Sequence, residues 1–265
     1  MTIAVVELWE LPWAPPFLVL AADSRYTYAS GHNRDNGAKL WPLTTRAVGM
    51  FAGDVEVGSK ALDRARTGII GDSFAGPAII RMHVEASARK FATKRRPVWI
   101  VVAMLDRSGL PHVWKLEPPV YSAVETLDHR VIIGDPTLFA LVSDKVGQAH
   151  MMGGGFGPMP ASKYWAVWAS YLMIGLDLLV DEGHSTIGGR IQQIVVTNNG
   201  LQELGMKKSS DGMTSWQPIS AGRDDVRADY REVYRRLPLP HIIEVSAGLP
   251  NAFIEGSFEE MKPRG

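Results

Sequence analysis

In the stretch Leu18-Val19-Leu20-Ala21-Ala22-Asp23-Ser24-Arg25, an apolar run is followed directly by polar and charged residues. A compact apolar run bounded by polar residues is typical of a buried strand. Residues 2–9 are rich in β-branched side chains and indicate a second strand immediately before it. Because Pro12, Pro15 and Pro16 separate the two runs, we predict that a rigid, unusually long turn joins them.

Downstream, predicted strands and helices come in groups instead of alternating singly. Short strands at 39–43 and 47–52 precede helices at 55–66 and near 80–91, strands at 98–105 and 111–116, helices at 136–146 and 161–182, a strand at 189–197 and a charged helix at 224–236. This order argues against a Rossmann or barrel architecture and favours antiparallel sheets covered by helix layers, which is an α+β fold.

The composition is that of an ordinary globular protein. The 265 residues carry 28 basic and 28 acidic side chains, so long-range attraction to nucleic acid or to an anionic membrane is not expected. No apolar run approaches the ~20 residues that span a bilayer. We predict one domain over residues 1–265, with a C-terminal extension from about residue 201.

Cysteine and histidine usage bears on cofactors and compartment. The chain has no Cys, which excludes disulfides, thiolate metal sites and cysteine nucleophiles. The seven His are scattered without metal-ligand spacing, so we expect no metal and no other cofactor. The first residues do not have the pattern of a signal peptide, and we expect a cytoplasmic protein.

Thr2 could act as a catalytic nucleophile if Met1 is removed. Removal of Met1 is allowed because the second residue is small. Its hydroxyl would then lie beside its own free α-amine, whose ordinary pKa of about 7.7 to 8 suits a base near neutral pH. Nucleophile and base would thus be combined in one residue.

The run ending in Ala21-Ala22-Asp23-Ser24-Arg25 resembles the corresponding strand of proteasome β-type subunits, which belong to the N-terminal nucleophile (Ntn) hydrolase superfamily. Lys39 follows Asp23 by 16 residues, Ala52-Gly53 begins 13 residues later, and a helix pair comes next, as in that family. The chain looks most similar to the bacterial proteasome homologues called Anbu, or to a betaproteobacterial relative. The resemblance implies a four-layer αββα sandwich, the Ntn hydrolase fold.

The resemblance also implies the roles of individual residues. Thr2 would be the nucleophile, Lys39 the cation that favours its deprotonated form, and Asp23 the partner that orients Lys39. The backbone amide of Gly53 would line an oxyanion hole. Asp181 is a further catalytic candidate.

The substrate pocket implied by the resemblance involves Tyr26, Gly37, Phe51 and Val55. In the family these positions surround the residue that precedes the cut bond. Phe51 would make the pocket apolar and shallow.

The sequence departs from the family pattern at two supporting positions. His184 stands where the family has an Asp before its Gly-Gly pair, and neither residues 133–135 nor 153–155 supply the Ser of the family's Gly-Ser-Gly segment.

The expected function is a threonine-type endopeptidase that cleaves peptides or unfolded proteins within a self-assembled ring, with any ATPase partner left open. Two alternatives are a non-catalytic structural member of the same fold and an Ntn amidohydrolase acting on a small amide.

Overall fold

The computed structural model describes residues 3–27, 33–34, 37–70, 75–126, 128–152, 164–184, 186–189, 191–203, 205–208 and 214–217. Thr2 and the charged helix predicted at 224–236 lie outside these residues. Within them the chain combines antiparallel sheets with helices, which confirms the α+β class.

Strands and helices follow one another in groups, as the sequence predicts. The strands are β1 (Ile3–Leu11), β2 (Ala14–Asp23), β3 (Tyr26–Thr27), β4 (Asn33–Arg34), β5 (Leu40–Thr44), β6 (Ala47–Gly53), β7 (Val98–Leu105), β8 (Pro111–Leu116), β9 (Val124–Glu125), β10 (Arg130–Gly134), β11 (Ile191–Thr197), β12 (Gly200–Glu203), β13 (Gly205–Lys208) and β14 (Thr214–Gln217). The helices are α1 (Val55–Ile70), α2 (Pro77–Phe91), α3 (Phe139–Met152) and α4 (Tyr164–Asp181), with a 3₁₀ turn at Pro136–Leu138 before α3.

Two five-stranded antiparallel sheets form the centre of the described structure. The first has the strand order β10-β1-β2-β11-β12, and the second has the order β5-β6-β7-β8-β9. In the first sheet β1 and β2 are interior strands, so both edges of each are hydrogen-bonded to a neighbour.

The two sheets pack face to face. Alternate residues of β1, including Ala4 and Val6, are buried in one cluster with residues of the second sheet such as Met50 and Val101. Because side chains alternate across a strand, the intervening residues must find another cover on the opposite face.

Helices provide that cover on both outer faces. Val5 of β1 packs in a cluster with Val142 of α3 and Leu172 of α4. On the other sheet, Ile100 of β7 shares a cluster with Leu62 of α1 and Val84 of α2. Both faces of each sheet are therefore buried, which explains why the strands are nearly continuous apolar runs in the sequence.

The prediction of a long turn between the first two strands is wrong. β1 and β2 extend towards each other until only Pro12 and Trp13 separate them. The pairing passes from Trp9–Phe17 to Leu11–Ala14 with a register shift, so Pro15 and Pro16 occupy an irregular place in the ladder. A residue without an N–H is tolerated there because it interrupts no regular pair.

None of the helices in the described ranges is long and apolar enough to cross a membrane.

Candidate functional site

Asp23 lies at the end of β2, and its buried carboxylate accepts hydrogen bonds from three other chain segments and from its own. Its Oδ1 accepts hydrogen bonds from the Ile3 amide at 3.0 Å and from Lys39 Nζ at 2.8 Å. Its Oδ2 accepts from the amides of Arg25 and Gly188, both at 3.2 Å. A carboxylate with this many donors is held in one orientation, so Asp23 organises the site.

Lys39 immediately precedes β5 and is only 1% exposed. A buried ammonium group requires an opposite charge, and the Asp23 carboxylate provides it. Nζ also lies 5.9 Å from the centre of the Tyr26 ring, within the range of a cation–π contact. The predicted neighbourhood of Asp23 and Lys39 is thus present in the structure.

Gln192 contacts the same segment and has no counterpart among the residues predicted from the sequence. Its Oε1 accepts a hydrogen bond from the Lys39 amide at 3.0 Å, and its Nε2 donates to the Gly37 carbonyl at 2.7 Å. The side chain is 2% exposed and bridges β11 to the segment that leads into β5. A Gln beside a second Gln in an otherwise apolar strand forms no known motif, although two polar side chains in a strand that is buried on both faces are unusual enough to be noticed.

An open cleft of about 340 Å³ lies beside Lys39. Its lining includes Tyr26, Phe51 and Val55, three of the four residues predicted to bind substrate, together with Gly53. The complete lining is Arg25, Tyr26, Lys39, Phe51, Gly53, Asp54, Val55, Arg95, Arg96, Pro97 and Trp99.

Gly37, the fourth predicted substrate residue, is not among the residues that line the cleft. A Cβ added to Gly37 would come within 2.3 Å of the Tyr26 ring, so the absence of a side chain lets that ring pack directly on the backbone. The Tyr26 hydroxyl donates a hydrogen bond to the Ala38 carbonyl. The structure therefore gives Gly37 a supporting contact with Tyr26.

Gly53 ends β6 at the edge of the cleft with φ of +108°. A Cβ there would lie 2.6 Å from the Pro97 carbonyl oxygen, and the Asp54 amide donates to the same oxygen at 3.1 Å. Glycine is required by both the dihedral angle and the close approach of the backbone.

Arg96 connects two carboxylates at the cleft rim. Its guanidinium donates to Asp54 at 2.8 and 2.9 Å and to Glu56 at 2.6 Å. Hydrogen bonds from Lys60 and Arg96 lower the pKa of Glu56 to about 2. Burial has the largest single effect on Asp54 and opposes a low pKa, but the hydrogen bonds from Arg96 and the Val57 amide and the charge of Arg96 together outweigh it, so that pKa is lowered as well. Both carboxylates therefore remain ionised at neutral pH.

The Gly188-Gly189 pair is also brought to the site. Besides the bond from its amide to Asp23, Gly188 leaves room for Arg25, whose guanidinium carbon would lie 2.2 Å from an added Cβ. Arg25 Nη1 donates to the Ile187 carbonyl at 3.0 Å. The segment of Gly188 thus packs against the residues that follow β2.

The remaining predicted residues have different positions. Asp181 is the last residue of α4 and is exposed, whereas Asp23 and Lys39 are buried. His184 Nε2 lies 3.4 Å from the Glu182 carboxylate. Thr2 is outside the described residues, and every catalytic role stays a prediction, whether for Thr2, Asp23, Lys39, Gly53 or Asp181.

The described part of the chain contains no group of three or more His, Asp or Glu side chains placed to hold a metal ion. No protein-family model matches the chain, and comparison with curated proteins likewise gives no match. The argument for function consequently depends on the geometry of the site.

Proposed function

We propose that this chain is a threonine-type peptidase with Thr2 as its N-terminal nucleophile. The observation that carries the proposal is the convergence of the Ile3 amide and Lys39 Nζ on Asp23 Oδ1. Since Thr2 is bonded directly to Ile3, this convergence connects the proposed nucleophile to a buried cation. The cleft that includes Lys39 and Gly53 provides room for a substrate.

The proposed reaction is acyl transfer followed by hydrolysis. The Thr2 hydroxyl oxygen attacks the peptide carbonyl carbon, and its proton passes to the Thr2 α-amine. The Gly53 amide and the positive charge of Lys39 stabilise the negative tetrahedral intermediate. The α-ammonium returns the proton to the departing amine, which leaves an ester on Thr2. Water then attacks the ester by the reverse proton transfers and releases a carboxylic acid.

The fold is proposed to be the αββα sandwich of the Ntn hydrolases. The packing of two sheets between two helix pairs supports this assignment. Assembly into a homo-oligomeric ring, and peptides or unfolded proteins as substrates, are part of the same proposal.

Intact mass spectrometry of the purified native protein is the first test. Loss of Met1 is required, because a retained Met1 would convert the Thr2 α-amine into a peptide nitrogen that cannot act as a base. A fully retained Met1 would therefore contradict the proposed mechanism.

The second test uses a peptide aldehyde or epoxyketone as a covalent probe. We expect one adduct per chain on Thr2 and cleavage of peptidyl reporters, both of which should disappear in Thr2→Ala with unchanged thermal unfolding. Thr2→Ser, which keeps a hydroxyl beside the amine, is the matched control and should retain adduct formation. Cleavage that survives in Thr2→Ala would refute the role of Thr2.

A non-catalytic member of the same fold is the second candidate. It is favoured by His184, which stands where the resemblance implies an Asp, and by the lack of a Ser at residues 133–135 and 153–155. An exposed Thr2 that reacts with neither probe nor substrate would support this candidate. Cleavage of small amides without cleavage of peptides would instead favour an amidohydrolase.

A further inference from the structure

We propose that Gln192 is a positioning residue for Lys39, an inference that rests on the proposed peptidase function. Gln192 is the second residue of β11 and pairs with Ala22, directly beside Asp23 in β2. From this place in the first sheet its side chain reaches the segment that enters β5 of the second sheet. One amide group thus connects the two sheets at the lysine.

The two hydrogen bonds of Gln192 act on the backbone that carries Lys39. This backbone lies just outside β5, and Gly37 to Lys39 are buried. Buried backbone N–H and C=O groups require partners. Gln192 supplies both at once, since its carbonyl accepts from the Lys39 amide and its NH₂ donates to the Gly37 carbonyl.

Asp23 and Gln192 therefore hold Lys39 at opposite ends. The Asp23 carboxylate receives Nζ at 2.8 Å, and the Gln192 amide receives the backbone N–H at 3.0 Å. Because a lysine side chain has four flexible bonds, its ammonium is well placed only if its backbone is also held. Gln192 makes this contribution through Lys39, without itself being one of the proposed reacting groups.

The amide of Gln is well suited to this position. Glu at residue 192 could accept from the Lys39 amide but, when ionised, could not donate to the Gly37 carbonyl. It would also add a negative charge near Asp23. Met would fill a similar volume and offer neither hydrogen bond.

Gln193 provides a matched control on the same strand. It is 0% exposed, and its Nε2 donates at 2.6 Å to the Ala169 carbonyl in α4, on the helix side of the sheet. Gln193→Met also removes a buried amide from β11, with the loss of one hydrogen bond instead of two, and it does not touch the segment of Lys39. Comparing the two variants separates loss of stability from loss of positioning.

The experiment compares thermal unfolding, the kcat and KM of peptide cleavage, and the ¹³Cε chemical shift of Lys39 in NMR spectra. The Lys39 signal is identified as the one that is missing from the spectrum of Lys39→Arg. For Gln192→Met we expect kcat to fall about 10- to 100-fold, with KM changed less than about threefold, as for a displaced catalytic group. The Lys39 signal should move. Gln193→Met should lower the unfolding temperature while leaving kcat and the Lys39 signal near their wild-type values.

Gln192→Glu tests which half of the amide matters. It should keep the Lys39 amide protected from hydrogen exchange but alter the pH–rate profile through the added charge. Equal losses of kcat in Gln192→Met and Gln193→Met, or an unmoved Lys39 signal in Gln192→Met, would overturn the inference. If the wild type cleaves no peptide, the proposed function fails, and the Lys39 signal and amide exchange still decide the role of Gln192.

Discussion

Ile3 and Lys39 meet at a single oxygen atom. The Ile3 amide nitrogen lies 3.0 Å from Oδ1 of Asp23, and Lys39 Nζ lies 2.8 Å from the same atom. The first residue of β1 and the lysine that precedes β5 therefore both donate to one carboxylate oxygen. This relationship makes the Asp23–Lys39 pair the part of the site whose removal should have the largest effect.

Single substitutions in that pair should be strongly destabilising. Asp23→Asn removes the negative charge beside a buried ammonium, and Lys39→Met leaves a buried carboxylate without its cation. Breaking a buried pair in this way costs about 3–5 kcal/mol in the free energy of unfolding. Urea denaturation of both single variants and of the double variant measures the effect.

The double variant Asp23→Asn/Lys39→Met should recover part of the stability lost by either single variant, because neither charge remains, whereas the Asn NH₂ cannot accept the backbone hydrogen bonds that one carboxylate oxygen received. It should nevertheless lack peptidase activity. Additive losses in the double variant would show that the two side chains do not form a coupled pair.

Gly53→Ala should disturb the cleft edge. The added Cβ would approach the Pro97 carbonyl to 2.6 Å at a φ of +108°, and strain of this kind costs on the order of 1–3 kcal/mol. If the proposed peptidase function holds, we also expect peptide cleavage to fall at least about tenfold, because the amide proposed to line the oxyanion hole would be displaced. Chemical denaturation and kcat measure the two effects.

Gly147→Ala is the control for this substitution. Gly147 lies within α3 with no atom within 4 Å of an added Cβ, so alanine should stabilise the protein by roughly 0.5–1 kcal/mol without changing kcat. A Gly53→Ala variant as stable and active as the wild type would refute the requirement for glycine at the cleft edge.

Acid should weaken the ion pairs at the cleft rim. The folded pKa of Glu56 is about 2, against an ordinary value of 4.5, because Lys60 and Arg96 donate to its carboxylate. Between pH 2 and pH 4.5, Glu56 is protonated more in the unfolded chain than in the folded protein. The stability that its ion pairs contribute is therefore present above about pH 4.5 and is lost as the pH falls towards 2.

Arg96→Met should reduce this pH dependence, because Asp54 and Glu56 would both lose a donor. Urea midpoints of the wild type and the variant, measured from pH 6 to pH 2.5, should differ most at the upper end and converge in acid. A constant difference across this range would contradict the pKa assignment.

His150 should contribute a second pH dependence, nearer neutrality. Burial beside Trp9, Trp168 and Tyr171 lowers the pKa of His150 below its ordinary 6.5. As the pH falls through 6.5, His150 is protonated in the unfolded chain before it is protonated in the folded protein. Its contribution to folding stability is therefore present above pH 6.5 and decreases below it.

His150→Phe keeps the aromatic packing and removes the titration. The difference in unfolding free energy between pH 8 and pH 5 should be smaller in His150→Phe than in the wild type. An equal difference in the two proteins would show that His150 does not titrate abnormally.

Local patterns predicted most of the fold. The Val- and Ile-rich segment 98–105 forms β7 with the predicted bounds, because both its composition and its flanks favour a strand. The prediction of a long turn between β1 and β2 is wrong because proline usually interrupts strands. Pro15 and Pro16 are accommodated by a register shift between the two paired strands, which neither segment shows on its own.

The site was predictable only where a resemblance supplied the spacing. Asp23 and Lys39 lie 16 residues apart and were paired on that basis, and the structure places them 2.8 Å apart. Gln192 contacts residues more than 150 positions earlier, through the packing of one sheet on the other. No local pattern contains a contact of that kind, so it emerges only from the three-dimensional arrangement.

The interior position of β1 and β2 has a consequence for the order of folding. Their hairpin is local and can form early, but Ile3 pairs with Gly134 of β10, and Ala22 pairs with Gln192 of β11. Contacts of such long sequence separation slow folding. Pulse-labelled hydrogen exchange should therefore show protection of the hairpin amides before those of β10 and β11. On the ribosome the hairpin would emerge with both edges open, exposed to aggregation or to a chaperone until the later strands are synthesised.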